Sequence, residues 1–174
     1  MPRVAKLTLV LGGARSGKSR YAEDLIAALP APWAYVATAQ AGDAEMAKRI
    51  AAHRRRRGPQ WRTLEAPRDL AAALQSCRAL PVLLDCLTLW VSNLMARDCD
   101  DSTILAEADR LVAALTRVSF GVALVTGEVG AGIVPANPLA RRFREKPGNV
   151  LSPSHCENVS GYCGATIQCP SARR

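Results

Sequence analysis

The segment Gly12-Gly13-Ala14-Arg15-Ser16-Gly17-Lys18-Ser19 decides the fold of this chain. It fits G-x-x-x-x-G-K-[ST] and lies between an apolar run, Leu7–Leu11, and a helical pattern that begins at Lys18. Such a loop turns consecutive backbone N–H groups toward a polyphosphate at a helix N-terminus, where the helix dipole also favours negative charge. Lys18 is expected to reach the outer phosphates and Ser19 to bind Mg²⁺. The loop predicts a protein that binds a nucleoside triphosphate.

Length and charge fit one nucleotide-binding domain. The chain has 174 residues, enough for a single core without disulfides, and its formal net charge of +8 suits an anionic ligand. Its apolar runs are too short to cross a bilayer, and Leu7–Leu11 is too short for a signal peptide. We therefore expect a cytoplasmic protein without a transmembrane segment.

Short apolar runs alternate with amphipathic stretches, which predicts βα units around a mostly parallel sheet with helices on both faces. The expected strands are Leu7–Leu11, Trp33–Ala37, Trp61–Leu64, Val82–Asp85 and Val122–Thr126. The expected helices are Lys18–Leu29, Asp43–Arg57, Arg68–Ser76, Leu87–Ala96, Ser102–Arg117 and a short one from Asn137. This order indicates the α/β class, with a single P-loop NTPase-like (RecA-like) domain over residues 1–145.

The composition changes after Glu145. Residues 146–174 have no helical or strand periodicity, and Pro147-Gly148 breaks the preceding helix. We expect a poorly ordered tail and a sheet that lacks its C-terminal strand, and a frameshift is one explanation. The tail cysteines lie near His155 at spacings that suit no common zinc site, so we expect neither metal nor disulfides at Cys156, Cys163 and Cys169.

Asp85 ends the apolar run Pro81–Leu84. In a phosphate-loop protein, an acid at the tip of a neighbouring buried strand holds the Mg²⁺ that bridges the phosphates. The alternative role for Asp85 is N-cap of the following helix, a position that aspartate favours.

His53 shares a helix face with Met46 and Ile50, which turns its ring toward the body of the protein. Arg49 and Arg57 lie one turn before and after it and would disfavour the imidazolium, leaving the neutral, nucleophilic ring. Spacing alone nevertheless favours a packed structural histidine, because flanking charges perturb structural residues as well.

The densest charge cluster is Arg54-Arg55-Arg56-Arg57. It could clamp nucleotide phosphates, form a solvated helix face or bind nucleic acid. Four consecutive arginines point around most of a helix circumference, so they cannot all serve one site. Only Trp61 is near enough in sequence for base stacking. A phosphate clamp for some of them is favoured, and no nucleic-acid partner is expected.

Several segments together resemble, in order and spacing, the bifunctional adenosylcobinamide kinase/adenosylcobinamide-phosphate guanylyltransferases of cobalamin biosynthesis. Besides the phosphate loop, these segments are Tyr35–Ala39, Glu45–Arg54, Trp61–Glu65, Leu84–Leu94 and Val125–Pro135. The resemblance extends from about Leu7 to Glu145. It departs at Gly127, where the family usually has asparagine.

The resemblance implies that adenosylcobinamide is phosphorylated with ATP or GTP, and that its phosphate then receives GMP from GTP through a guanylyl-histidine to give adenosyl-GDP-cobinamide. It places His53 at the nucleophile, reversing the preference from spacing. With the roles that the loop motif and strand position predict, Lys18 is the second catalytic residue, and Ser19 and Asp85 are the expected Mg²⁺ ligands. The nucleotide-binding residues that it implies are Gly12, Gly13, Ala14, Arg15, Ser16, Gly17, Lys18, Ser19, Ala37, Thr38, Ala39, Arg54, Arg55, Arg56, Arg57, Glu65 and Asp85.

Two other functions stay open at the level of sequence. One is a different phosphate-loop small-molecule kinase in which His53 is structural. The other is a basic nucleic-acid-binding NTPase-like module that uses the arginine cluster. The sequence also leaves the oligomeric state undecided, with a homo-oligomer among the alternatives.

Overall fold

The computed structural model describes residues 7–97, 99–128 and 165–168. The strands are β1 Leu7–Gly12, β2 Trp33–Ala37, β3 Trp61–Glu65, β4 Val82–Asp85, β5 Val122–Gly127 and β6 Ala165–Gln168. The helices are α1 Lys18–Ala27, α2 Ala44–Arg56, α3 Leu70–Ser76, α4 Leu87–Met95 and α5 Asp101–Arg117. The five predicted strands and the first five predicted helices are confirmed within about two residues. The helix expected from Asn137 lies outside the described residues.

The six strands form one parallel sheet in the order β3-β2-β4-β5-β1-β6. Alternate side chains of each strand point to opposite faces, so the sheet carries two apolar layers. The larger layer packs against α3, α4 and α5 and centres on Trp90, while the smaller one packs against α1 and contains Tyr35. Because all strands run the same way, their carboxyl ends meet at one edge of the sheet. The phosphate loop follows β1 at this edge, and Asp85 and Glu65 are the last residues of β4 and β3 there.

Strand β6 corrects an expectation drawn from the tail. Its four residues pair parallel with β1, from Leu7↔Ala165 to Val10↔Gln168. Ala-Thr-Ile-Gln contains one large aliphatic residue, too little for a strand to be recognised from its pattern. The pairing depends instead on the free edge of β1, whose backbone groups accept any extended segment. The prediction that the sheet lacks a C-terminal strand is wrong here, whereas Cys156, Cys163 and Cys169 lie outside the described residues.

Helix α2 is unusual because no residue in it is buried. Asp43 caps its N-terminus by accepting a hydrogen bond from the backbone N–H of Met46 at 2.7 Å. Met46, Ile50 and His53 form its half-buried face, as their spacing predicts. With so little apolar surface covered, polar contacts must contribute much of what holds α2 against the domain.

Candidate active site

The phosphate loop adopts the turn that its glycines permit. Gly17 has φ +83° at the start of α1, a conformation that disfavours other residues. A Cβ on Gly12 would lie 2.6 Å from the Ser16 hydroxyl, so the loop closes tightly at this point. The Nζ of Lys18 donates to the carbonyl of Gly13 at 3.0 Å. The buried Ser16 Oγ has no hydrogen-bond partner among the described residues, which fits a loop shaped for a polar ligand.

Asp85 is held by a tyrosine rather than used as a helix cap. Its Oδ2 accepts a hydrogen bond from the Tyr35 hydroxyl at 2.9 Å. The N-cap of α4 is Cys86, without a side-chain capping bond, so the alternative capping role of Asp85 is wrong. The helix begins one residue later than that role requires, which leaves the carboxylate at the sheet edge. Burial, and next the Asp85 charge, raise the pKa of Tyr35, so its hydroxyl stays a donor.

Thr38 ties the ends of β2 and β4 together. Its hydroxyl accepts from the Cys86 N–H at 2.7 Å and donates to the Cys86 carbonyl at 2.9 Å. Its backbone N–H donates to the Asp85 carbonyl, and its own carbonyl accepts from Asn93. Ala37 pairs in register with both Asp85 and Glu65. The segment Ala37–Ala39, which the resemblance assigns to nucleotide binding, therefore begins between Glu65 and Asp85. The resemblance assigns both of these acids to nucleotide binding as well.

The arginines of the cluster contact different partners, because consecutive residues point in different directions around a helix. Arg54 forms an ion pair with Glu65, and both side chains are exposed. Arg56 donates twice to Glu23 of α1, at 2.7 and 2.8 Å. Arg57 lies 3.8 Å from the same carboxylate, is only 5% exposed, and stacks on Tyr35. Three arginines thus contact α1 or the sheet rather than forming one solvated face.

His53 is half-buried beside Arg56, whose Nη2 lies 3.4 Å from its Nδ1. The pKa of His53 is lowered, chiefly by burial and next by the guanidiniums of Arg56 and Arg57, while Asp85 and Glu23 oppose the shift. The lowered pKa supports the expectation that the ring is neutral. Burial is the main cause of the shift, whereas the sequence predicted that neighbouring arginines cause it. The arginines that contribute are Arg57, as predicted, and Arg56 instead of Arg49.

Cys86 is a poor candidate for a nucleophile. Burial, with the Asp85 charge beside it, raises the pKa of the Cys86 thiol to about 11. A thiol with such a pKa is almost entirely protonated at neutral pH and is a poor nucleophile.

A cavity of about 530 Å³ opens between the end of α2 and strand β3. Its lining combines arginine, an aromatic ring and a carboxylate, the side chains that suit a charged planar ligand. The residues are Arg54, Arg57, Gly58, Trp61, Thr63 and Glu65.

Oxygen donors suited to Mg²⁺ are present at this edge. Asp85 offers a carboxylate and Ser19 a hydroxyl, and Mg²⁺ normally takes one or two protein ligands and completes its shell with phosphates and water. The described residues contain no cluster of three or more histidines, cysteines or acids. The carboxylate of Asp85 and the hydroxyl of Ser19 are donors that fit a magnesium ion bound together with a nucleotide.

Comparison with known proteins gives the chain its family. Residues 8–162 match the family described as cobinamide kinase / cobinamide phosphate guanyltransferase. The chain belongs to this family. The match runs past Glu145, so the resemblance extends further than the sequence motifs alone indicate.

Three bacterial members of the family are close relatives in sequence. The bifunctional adenosylcobalamin biosynthesis protein CobP of Pseudomonas aeruginosa is 46% identical over 157 residues, covering 87% of this chain and 90% of the relative. The proteins named CobU from Salmonella typhimurium and Escherichia coli are each 43% identical, covering 83% of this chain and 87% of theirs. None of the helices in the described ranges is long and apolar enough to cross a membrane.

Within this family member, the structure adds two residues that sequence reasoning missed. Glu23 lies four residues after Ser19 on α1, and Tyr35 lies two residues before Ala37 on β2. The spacings place Glu23 on the same helix face as Ser19, and Tyr35 on the same sheet face as Ala37. This shared face is the only sign in the sequence that could have pointed to the two residues. Their partners, Arg56 and Asp85, become evident only from the folded chain.

Proposed function

We propose that this enzyme phosphorylates the aminopropanol hydroxyl of adenosylcobinamide with ATP or GTP and then converts the phosphate product to adenosyl-GDP-cobinamide with GTP. Family membership supports both reactions. The reactions consume nucleoside triphosphates, which is consistent with a cytoplasmic enzyme. The observation that carries the second reaction is the half-buried His53, whose Nδ1 lies 3.4 Å from Nη2 of Arg56.

In the kinase step, positioning and charge neutralisation provide most of the catalysis. The loop N–H groups and Lys18 would hold the triphosphate, and the Lys18 ammonium would exchange the Gly13 carbonyl for phosphate oxygens. Mg²⁺, when bound through Ser19 and Asp85, would neutralise phosphate charge. The substrate hydroxyl attacks the γ-phosphorus and gives up its proton to water, the bond from that phosphorus to the bridging oxygen breaks, and the nucleoside diphosphate leaves with the electron pair.

In the transfer step, a ring nitrogen of neutral His53 attacks the α-phosphorus of GTP. A nitrogen–phosphorus bond forms, the bond to the pyrophosphate oxygen breaks, and pyrophosphate leaves with the electron pair. A phosphate oxygen of adenosylcobinamide phosphate then attacks the same phosphorus and returns the electron pair to His53. Direct reaction of GTP with adenosylcobinamide phosphate would bring two large anions together in one displacement. The covalent intermediate replaces it with two easier displacements.

The 530 Å³ cavity is the proposed guanine-binding region. Glu65 would accept hydrogen bonds from the guanine N1–H and 2-amino group, once its ion pair with Arg54 opens. Trp61 would offer an aromatic surface for the base. Arg54 would then be free to pair with a phosphate, the role favoured for part of the arginine cluster.

The deciding experiment is incubation with GTP labelled at the α-phosphorus. A phosphoramidate gives acid-labile, alkali-stable label on the protein, and we expect His53→Ala to remove it while retaining kinase activity. The matched control is His155→Ala, because the chain has two histidines and His155 is the other. Equal loss of both activities in folded His53→Ala would count against a dedicated nucleophile. Kinase activity without any label in the wild type would favour the alternative small-molecule kinase.

Lys18→Ala and Asp85→Asn test the shared phosphate site. Each should lower both reactions by orders of magnitude, because both use triphosphates bound in the same loop. Near-normal turnover of Lys18→Ala with ATP and GTP would contradict the assignment of the loop.

A further inference from the structure

Glu23 is a buried acid that the two reactions leave without a role. It is 7% exposed, and no other acidic residue in the described part of the chain is buried. It lies on α1 four residues after Ser19, so it is one turn from the phosphate loop on the same helix face. A buried carboxylate is costly unless it is paired.

The partners of Glu23 come from the end of α2. Arg56 donates from Nε to Oε2 at 2.7 Å and from Nη2 to Oε1 at 2.8 Å, a bidentate pair with fixed geometry. Arg57 places its Nη1 3.8 Å from Oε1. The hydrogen bond to Glu23 is the main reason that the pKa of Arg56 is raised, so Arg56 stays charged.

This ionic contact is a principal connection between α2 and the domain. Helix α2 buries none of its residues, so apolar packing does not fix its position tightly. At its C-terminal end, Arg56 and Arg57 converge on Glu23, and Arg57 also stacks on Tyr35. The position of this end relative to the phosphate loop therefore depends on Glu23.

Arg56 contacts both Glu23 and His53, the proposed nucleophile. The same Nη2 that donates to Glu23 lies 3.4 Å from Nδ1 of His53. We infer that Glu23 is a positioning residue for guanylyl transfer: it fixes the Arg56 guanidinium beside His53, and so holds the orientation of the ring. This inference rests on the proposed role of His53 as the nucleophile.

Removing Glu23 should affect one reaction more than the other. Without the carboxylate, Arg56, already 39% exposed, is free to rotate into solvent, and His53 loses its neighbour. Guanylyl transfer needs that ring in place, whereas phosphoryl transfer needs only the loop and its bound triphosphate.

Glu23→Gln is the direct test because it keeps the size of the side chain. A hydrogen bond to a charged group is usually worth enough to change a rate about 10- to 100-fold. We expect guanylyl transfer to lose about this much in kcat, with KM for GTP within about twofold and kinase activity within about threefold. The control is Glu107→Gln, which breaks an exposed pair with Arg110 on α5 and should leave both reactions unchanged.

A double-mutant cycle with Arg56→Gln shows whether Glu23 acts through Arg56. If it does, Glu23→Gln adds no more than about threefold to the loss caused by Arg56→Gln. Independent losses that multiply would overturn the inference, as would equal losses in both reactions or unchanged guanylyl transfer in Glu23→Gln. If Glu23→Gln fails to fold, selective loss of guanylyl transfer in folded Arg56→Gln still supports it, and unchanged transfer there overturns it. Wild-type protein that takes no label would contradict the proposed function itself.

Discussion

The guanidinium carbon of Arg57 lies 3.5 Å from the centroid of the Tyr35 ring, and the hydroxyl of that ring donates to Asp85. The Arg57 side chain is 5% exposed, and its Nε and Nη1 lack hydrogen-bond partners among the described residues. The ring face therefore replaces part of the hydration that the buried cation has lost. Through Tyr35, the end of α2 is connected to the acid proposed to hold Mg²⁺.

Tyr35→Phe should weaken the use of Mg²⁺ without disturbing this stack. The variant keeps the ring beneath Arg57 but removes the donor that orients the Asp85 carboxylate. We expect a several-fold rise in the Mg²⁺ concentration for half-maximal kinase activity and a loss of about 1 kcal/mol in the free energy of unfolding. Thr116→Val, which removes the hydroxyl donor of an exposed hydrogen bond to the Ala113 carbonyl on α5, is the control. Unchanged magnesium dependence would show that the Tyr35 hydroxyl does not orient the carboxylate.

Guanylyl transfer should persist at mildly acidic pH. The pKa of His53 is lowered from its ordinary value near 6.5, so the neutral ring survives below that pH. We expect the single-turnover labelling rate to be on its plateau at pH 7 and to fall to half only below about pH 6.5. Because Arg56 contributes to the shift, Arg56→Gln should move the acidic limb to higher pH.

An NMR titration checks this prediction in the free protein. With two histidines in the chain, His53→Gln assigns the signals. The lowered pKa also means that the folded state binds fewer protons than the unfolded state. The contribution of His53 to stability is therefore present above its unfolded pKa and is lost as pH falls through its folded pKa. A midpoint at or above the ordinary value would contradict both expectations.

Gly127→Ala should be destabilising because of Thr88. The backbone N–H of Gly127 donates to Thr88 Oγ1 at 2.6 Å, and a Cβ on Gly127 would lie 3.1 Å from the same oxygen. The threonine must shift by a few tenths of an ångström, which we expect to cost about 1 kcal/mol in the free energy of unfolding. In a Thr88→Ala background, Gly127→Ala should cost markedly less, as measured by denaturant unfolding of the four proteins. Equal costs in the two backgrounds would show that Thr88 is not the obstacle.

Deleting residues 146–174 should make the protein less stable and prone to self-association. The deletion removes β6 and leaves unpaired those backbone groups of β1 that face it between Leu7 and Val10, while the pairing of β1 with β5 remains. An open edge of a parallel sheet is a template for another chain. We expect a lower Tm and, by light scattering, concentration-dependent association. A truncated protein as stable and as monomeric as the full chain would show that β6 contributes little.

The tail also remains the test of the frameshift hypothesis. Translation in another frame beyond codon 145 should give an alanine-rich helix and a strand rich in valine and leucine. A chain with that segment restored should be more stable than the present one, because a longer apolar strand would cover more of the sheet. Absence of such a frame in the DNA would contradict the hypothesis.

The catalytic elements could be read from the sequence because their signals are local. Short apolar runs identify the strands β1 to β5, and amphipathic stretches with a period of about 3.6 residues identify the helices α1 to α5. The loop motif between β1 and α1 has a spacing that its backbone geometry requires. The half-buried face of Met46, Ile50 and His53 follows from helical spacing alone. The sequence by itself therefore determined the fold class and the phosphate loop, whereas His53 became the candidate nucleophile only through the resemblance to the family.

Only the tertiary structure decided which charges meet. Glu23 and Arg56 are 33 residues apart, and Tyr35 and Asp85 are 50 apart, so neither pairing leaves a periodic signal. The partner of each arginine depends on where α2 lies over the sheet, a position with little apolar packing to reveal it. Strand β6 likewise forms because β1 has a free edge, not because its own residues favour a strand. Burial and pairing of polar groups depend on contacts between distant segments, whereas elements depend on neighbours along the chain.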